Sequence, residues 1–336
     1  MKTHLKVLVL SDLSKAVPKD HDFSEEMKSP DWKAEADVIG ALKSLGHTVR
    51  LLAVYDDPGQ ILDEIKSNPP DIVFNLSEQF NSRSEYERDV AGLLEMMGVV
   101  YTGTGVTGLT LCKNKGMSKE ILSYHRIRVP DFAIFPPGPV IRRPKKLDFP
   151  LFIKPLKDEA SYGISQDSFV ENDQAFVDRI RFIHERMNQE AIAEEYIEGR
   201  ELYVSILGNR RLEVLPIREV IFSKMPEDKP QFATFKAKWD EAYRERWGIE
   251  NTFAGDLPDG TAERIARVCK RAYRTLQIRG YGRIDLRLTD EGSIFVLEAN
   301  PNPNLATDDE LAQSAIKSGM RYPELIQQIL RLAFLD

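Results

Sequence analysis

Apolar and polar residues alternate most plainly in "GRIDLRLTDEGSIFVLEAN", Gly282 to Asn300. Ile284, Leu286 and Leu288 alternate with Arg283, Asp285 and Arg287, and Phe295, Leu297 and Ala299 alternate with Val296, Glu298 and Asn300. This period of two predicts a hairpin with one oily and one polar face. With Asp290 to Ser293 as a four-residue loop, Asp285 falls opposite Glu298 and Arg283 opposite Asn300. Directly opposed side chains lie roughly 4.5–5.5 Å apart at Cβ, so the two carboxylates repel unless a cation sits between them. A hard divalent ion such as Mg2+ would relieve the repulsion. A solvated hairpin on which Arg283 and Arg287 neutralise Asp285 is the other reading.

Upstream, the period switches repeatedly. "KVLVLSD", "HTVRLLAVYD", "DIVFNLSE" and "VVYTG" read as strands, separated by helices in "WKAEADVIGALKSLG", "PGQILDEIKSN" and "EYERDVAGLLEMMG". Such alternation predicts βαβ units around a parallel sheet over residues 1–103. No GxGxxG follows the first strand, so dinucleotide binding has no support. A helix, "KNKGMSKEILSYHR", and a Pro-rich, linker-like stretch, "FPPGPVIRRPKKLDFP", come next. From Pro150 the pattern is antiparallel α+β: strands "LFIKP" and "SFVEN", the helix "DQAFVDRIRFIHERMNQ", then "EAIAEEYI" and "ELYVSILG" as a hairpin turning at Glu198-Gly199-Arg200. A long irregular segment, 223–260, precedes a helix in "AERIARVCKRAYRTLQ". Loops of that length in a compact enzyme are usually functional.

Composition narrows the class. The chain has 336 residues, 42% hydrophobic and 29% charged, as expected of a globular protein of two or three domains. Its formal charge of -7 argues against a general nucleic-acid binder, which needs a basic face. The first apolar run, "LKVLVL", is too short for a signal peptide or a membrane span, which predicts a cytoplasmic protein without a membrane partner. Cys112 and Cys269 have no partners at zinc or disulfide spacing and read as buried, inert thiols.

Two further stretches carry candidate chemistry. Lys154 ends the strand "LFIKP" beside the small-residue loop Ala160-Ser161-Tyr162-Gly163, a combination suited to phosphates or, equally, to a snorkelling lysine at a strand end. Glu194, Glu195 and Glu201 lie where two strands meet, and Glu201 can accept hydrogen bonds from a ribose diol or belong to an acidic rim.

Together, "FNLSEQF", "GLLEMMGVVYTGTG", "LCKNKGMSK", "FPLFIKP", "EEYIEGRELYVSIL", "GYGRIDLRL" and "FVLEANPNPNL", in this order, resemble the ATP-grasp superfamily and within it the D-alanine:D-alanine ligase-like branch. The resemblance runs from about Phe74 to the C-terminus. It implies an ATP-grasp fold, α/β and α+β, with an N-terminal parallel α/β (pre-ATP-grasp) domain over 1–103, a central lid domain over 104–195 and a C-terminal domain with the metal site over 196–336. It implies that Lys113 and Lys154 contact ATP phosphates under a lid of Ser161, Tyr162 and Gly163. The stretch Glu194 to Ile197, with Glu194, Glu195 and Ile197 foremost, would line the adenine pocket and Glu201 would bind ribose. Asp285, Glu298 and Asn300 would hold two Mg2+ ions, with Mn2+ as a substitute, while Arg283 and Lys238 would stabilise the transferring phosphoryl group. The activity implied is ATP-dependent amide or peptide bond formation through an acyl phosphate, on small amino-acid or peptide substrates, in a protein that by resemblance can form a homodimer. A non-ligating ATP-binding protein and an ATP-grasp kinase are the alternatives.

The amino-acid half departs from the family. The Gly-Gly-x-Ser-x-Glu turn after the first strand is replaced by "LSDLSKAVPKDHDFSEEMKSPDW", the His-Gly after the third strand by "NLSEQF", and a glycine by Asn304. "LATDDELAQSA" holds no copy of the Ser turn that receives the second substrate's carboxylate. Ser77, Glu78, Arg83, Glu87 and Asn304 are candidate replacement contacts, and a substrate larger than D-alanine is expected.

Overall fold

The computed structural model describes residues 4–18, 20–157, 162–226 and 229–335. Its first unit alternates β1 (Lys6–Asp12), α1 (Lys33–Ser44), β2 (Thr48–Val54), α2 (Pro58–Ser67), β3 (Ile72–Asn75) and α3 (Glu87–Met96). The strands form a parallel sheet in the order β2-β1-β3. The unbroken apolar run of β1 follows from burial on both faces. Val7 and Val9 pack with α1 on one side, and Leu8 and Leu10 pack towards α2 and α3 on the other. "VVYTG" does not extend into a fourth strand: it makes a single parallel bridge, Val73 to Tyr101. Beyond it the chain leaves the sheet, where Thr104 N–H donates to Asn302 Oδ1 at 2.7 Å.

A helix that the sequence does not mark, α4 (Val106–Lys113), precedes the helix expected in "KNKGMSKEILSYHR", which forms as α5 (Lys115–Tyr124). Asn114 separates them and caps the second by accepting from Met117 N–H at 3.0 Å. A four-stranded sheet follows, in the order β4-β7-β5-β6, from β4 (Phe132–Phe135), β5 (Leu151–Pro155), β6 (Phe169–Val170) and β7 (Ala191–Glu195), backed by α6 (Asp173–Met187). The sequence does not mark β4, which lies at the edge of the Pro-rich stretch.

The larger sheet comprises β8 (Arg200–Leu207), β9 (Glu213–Val214), β10 (Arg218–Phe222), β11 (Ile249–Phe253), β12 (Tyr281–Leu288) and β13 (Ile294–Pro301). Its main path runs β11-β10-β8-β12-β13, with β9 on β8. The expected hairpin of β7 with β8 does not form, because the two strands bury their apolar residues in different cores. Ala191 and Ala193 face α6, whereas Leu202, Val204 and Ile206 face α9 (Thr261–Thr275). The crossing between the sheets requires Gly199, at φ +133, where a Cβ would lie 2.3 Å from Leu288 O. Nor is the segment 223–260 irregular: it contains α7 (Phe235–Trp239), α8 (Glu241–Trp247) and β11, packed together on β10. Finally α10 (Glu310–Lys317) and α11 (Tyr322–Ala333) return the chain to the first sheet, where Leu325, Ile326, Ile329 and Leu330 join Val7 and Val9. Among the described residues no helix is long and apolar enough to cross a membrane. Cys112 and Cys269 are buried and not joined in a disulfide.

The large sheet is tied to α10 by a buried ion pair, Arg218 Nε to Glu310 Oε2 at 2.8 Å, while Arg218 Nη2 donates to Asn251 O at 2.9 Å. Arg218→Met should cost about 3–5 kcal/mol, the penalty of leaving one buried charge uncompensated. Urea unfolding checks this as a lowered midpoint at unchanged slope.

Candidate functional site

The hairpin β12–β13 supplies the floor of the site, and its register near the polar residues is the one the sequence predicts: Arg283 pairs with Asn300 and Asp285 with Glu298. The far end differs. A bulge after Asp285 brings Leu286 opposite Val296 and Leu288 opposite Ile294, so the loop is shorter than four residues. The bulge reverses the expected faces. Val296 enters the core with Ile294 and Ala299, and Leu297 lines the cleft beside Glu298. The carbonyl freed at Leu297 accepts from Lys119 Nζ at 2.8 Å.

Over this floor lies a cleft with about 830 Å³ of empty space between the two antiparallel sheets. Lys115, Lys154, Glu194, Tyr196, Glu201 and Glu298 are among the residues lining it. Lys154 and Lys119 close on Glu194 from two directions, at 3.3 and 3.4 Å. Burial lowers the Lys119 pKa to about 8, with Glu194 opposing the shift. For Lys154, burial is outweighed by Glu194 and Glu298, and the pKa rises. Glu298 lies 3.8 Å from Lys115 Nζ. Burial alone would raise its pKa, but Lys115, Lys154, Lys238 and Arg283 together hold it down at about 2. Lys238, exposed to the cleft on α7, has its own pKa lowered first by desolvation and then by Arg283.

Asp285 accepts both guanidinium bonds of Arg283, at 2.7 and 2.9 Å, and a third from Asn300 Nδ2 at 2.9 Å. Arg287 does not share this role. It donates to Glu201 Oε2 at 2.8 Å, directly across β12–β8, and to Gly199 O and Gln231 O. Tyr203 OH donates to the other oxygen of Glu201 at 2.9 Å. Phe152, Tyr196 and Phe232 form an aromatic cluster on the same wall, with Phe152 and Phe232 centroids 4.8 Å apart. The two loops over the cleft meet: Phe235 N–H donates to Ile164 O at 3.1 Å, and Tyr162 lies edge-on to Phe235.

Most candidate residues therefore converge. Lys154, Tyr162, Glu194, Glu195, Ile197, Glu201, Lys238, Asp285 and Glu298 share the cleft, and Arg283 and Asn300 line the adjoining compartment. Lys113 is the correction: it pairs with Glu87 at 2.5 Å, and Lys115 takes the place in the cleft. Gly163 lies outside the cleft, its carbonyl held by Arg179, and Ser161 falls outside the described residues. Tyr196 lies in the cleft with the expected stretch 194–197, whereas Lys115, Lys119, Phe152 and Phe232 were not anticipated. A signal existed for the two lysines, whose spacing of four places them on one helix face once Asn114 is read as a cap.

The donor set of Asp285, Glu298 and Asn300 offers only hard oxygen ligands. Among the described residues no three His, Cys, Asp or Glu side chains cluster to hold a metal by themselves. Two carboxylates are what Mg2+ uses when phosphates and water complete its shell, so these residues fit that ion.

Two antiparallel sheets closing on a cation-lined cleft, beside a parallel α/β unit, define an ATP-grasp protein. A crystal structure of D-alanine–D-alanine ligase from Bacillus anthracis matches 98% of this chain and 98% of its own, with TM-score 0.76 and 21% identity, and the same ligase complexed with ATP matches with TM-score 0.74. The family described as "D-ala D-ala ligase C-terminus" matches residues 123–331, and the chain belongs to it. Its enzymatic class is that of an ATP-dependent carbon–nitrogen ligase. The uncharacterized protein y4sG of Sinorhizobium fredii is 30% identical over 90% of this chain and 88% of its own length. The D-alanine–D-alanine ligase of Gluconobacter oxydans is 28% identical over 88% and 91%.

The depressed pKa of Glu298 has a defined sign. Its contribution to stability is complete above the unfolded value near 4.5 and is lost as pH falls towards about 2. The gap in unfolding midpoint between the wild type and Glu298→Gln should therefore stay constant above about pH 4.5 and change steadily as pH falls from there towards 2. A constant gap down to pH 2.5 would contradict this.

Proposed function

We propose that the chain joins a substrate carboxylate to an amine through an acyl phosphate, with ATP held in the cleft between the two antiparallel sheets. The observation that carries the reading is the set of Lys115, Lys154, Lys238 and Arg283 gathered around one ionised carboxylate, Glu298. So many cations on a floor that also bears Asp285 suit a polyphosphate and its counter-ions. Lys115 and Lys154 would hold the phosphates. Tyr196, Ile197 and the ring of Phe232 would flank the base, and Glu201, fixed by Arg287 and Tyr203, would accept from the ribose hydroxyls.

Asp285, Glu298 and Asn300 would hold Mg2+, whose chemistry here is to offset charge on the phosphate oxygens. Arg283 is positioned to meet charge on the phosphoryl group in transit, being the neighbour of Asp285 in the adjoining compartment. A substrate carboxylate oxygen attacks the γ-phosphorus as the bond to the β-phosphate oxygen breaks, and ADP leaves. The amine nitrogen then attacks the acyl carbon, phosphate departs, and the nitrogen gives up a proton. Water would hydrolyse the acyl phosphate, so the contacts of Phe235 with Ile164 and Tyr162 above the cleft serve the chemistry by closing it.

ADP release over a panel of amino acids and dipeptides, with mass spectrometry of the product, tests the reaction. A new amide supports it, and a phosphorylated substrate without an amide overturns it. Lys154→Ala should raise the apparent KM for ATP about 10- to 150-fold, the equivalent of roughly 1.5–3 kcal/mol for a charged hydrogen bond. Unchanged nucleotide affinity would place Lys154 outside the site. D-alanine alone should support less ADP formation than the preferred pair, since the substrate-facing segments are rewritten.

A further inference from the structure

Three compartments run in series through the molecule. The cleft proposed for ATP shares Tyr203 and Lys238 with the compartment that contains Arg283 and Asn300. That compartment shares Glu78, Asn302, Pro303 and Asn304 with a third, of about 1250 Å³, lying between the first sheet and the chain beyond β13. The third chamber opens at the carboxyl ends of β1 and β3, with Asp12 ending one strand and Asn75 the other. In an open parallel sheet this is where ligands bind, because the connections leaving neighbouring strands diverge there.

Its chemistry is the reverse of the first cleft. Asp12 and Glu35 line it half-buried, and neither has an ion-pair partner among the described residues. Asp12 Oδ1 accepts Glu78 N–H at 2.7 Å, and Glu35 accepts from Ser11 OH at 2.6 Å. Burial raises the pKa of both, and Asp12 adds repulsion at Glu35. Lys15, on the loop after β1, also lines the chamber but makes no ion pair with either carboxylate, and Glu26 and Asp31 add further acid to the walls. A second, independent observation comes from Asn75. It is only 2% exposed, its Oδ1 accepts from Ser77 N–H, and its Nδ2 lacks a hydrogen-bond partner among the described residues while lining the chamber. An amide N–H left unpaired at that depth costs about 1–3 kcal/mol unless a ligand supplies an acceptor. Trp32, held against Phe23 by ring stacking at 5.2 Å, gives the chamber an apolar wall. Ser77, Glu78 and Asn304 all face this space, whereas Arg83 is engaged with Glu85 and Tyr86 on the surface.

We propose that the third chamber selects an amino-acid substrate bearing a cationic side chain, an ammonium or guanidinium group seated against Asp12 and Glu35, with a carbonyl or carboxylate oxygen of the same molecule accepting from Asn75 Nδ2. The proposal rests on the ligase reading above and gives it a substrate class. Its logic is pairwise satisfaction: the chamber offers two carboxylates without an ion pair and a donor without an acceptor, and a basic amino acid supplies both missing halves. A neutral side chain of equal length leaves both carboxylates unanswered.

Calorimetric titration tests this on the full chain with Mg2+ and a non-hydrolysable ATP analogue present. The probes are both enantiomers of lysine and arginine, each against its neutral counterpart, norleucine or citrulline. The cationic member of at least one pair should bind tenfold or more tightly, and Glu35→Gln should reduce the preference below threefold while the ATP analogue binds as before. If Glu35→Gln does not fold, Asp12→Asn serves in its place. Equal affinity within each pair, binding by none of the probes, or a preference that survives the substitution overturns the proposal. ADP release is measured separately: its absence with every carboxylate and amine supplied would overturn the ligase reading, whereas the calorimetry alone judges the chamber.

Discussion

Glu194 is a charge in a place where a lone charge is untenable. It is 2% exposed at the end of β7, and what makes the position tenable is the approach of Lys154 from β5 and Lys119 from α5. Lys119 also reaches across to Leu297 O in β13. One buried carboxylate thus binds a strand, a helix and, through the helix, the opposite sheet. The ammonium groups around Glu298 take their positions from that scaffold, for Lys115 sits one helical turn before Lys119 and Lys154 is the same residue that neutralises Glu194.

The consequence is a gradient of charge along the interior. Cations dominate near the hairpin, a compact Arg283–Asp285 pair stands in the middle, and carboxylates outside any ion pair face the third chamber. A protein with net charge -7 can therefore hold a polyanion, because the local field at the cleft is set by four nearby cations and the excess of acid lies elsewhere.

Much of this was legible in the sequence. The pairings of Asp285 with Glu298 and of Arg283 with Asn300 follow from a period of two, which fixes the face of each residue as soon as one pair is placed. The bulge at Leu297 was not legible, since an extra residue leaves the composition of the strand unchanged and shows itself only where the expected alternation of Val296 and Leu297 is exchanged. The supposed hairpin of β7 and β8 failed for a related reason. A glycine turn between two apolar strands looks the same whether the strands pair or part, and what separates them is the depth of two different cores. Lys113 ends α4 and pairs with Glu87 while Lys115 opens α5 and lines the cleft, a difference set by the helix break at Asn114, which the sequence shows only as one more polar residue. The third chamber was legible only as an absence of family residues, because its walls come from segments far apart in the chain that the fold alone brings together.

The small sheet has a further property. The chain enters it just after Asp131 and leaves it just after Glu195, and those two residues are joined, Glu195 N–H to Asp131 O at 2.7 Å. Everything from β4 to β7 is therefore a loop of chain whose two ends meet, and it is fastened to the larger body as well by Lys119 to Glu194 and by Phe235 N–H to Ile164 O. Because its ends meet, such a piece can lengthen or shorten in descent between those fastenings without changing the path of the sheet that carries Asp285 and Glu298, so the outer cover of the cleft is freer to vary than the strands that hold Lys154 and Glu194.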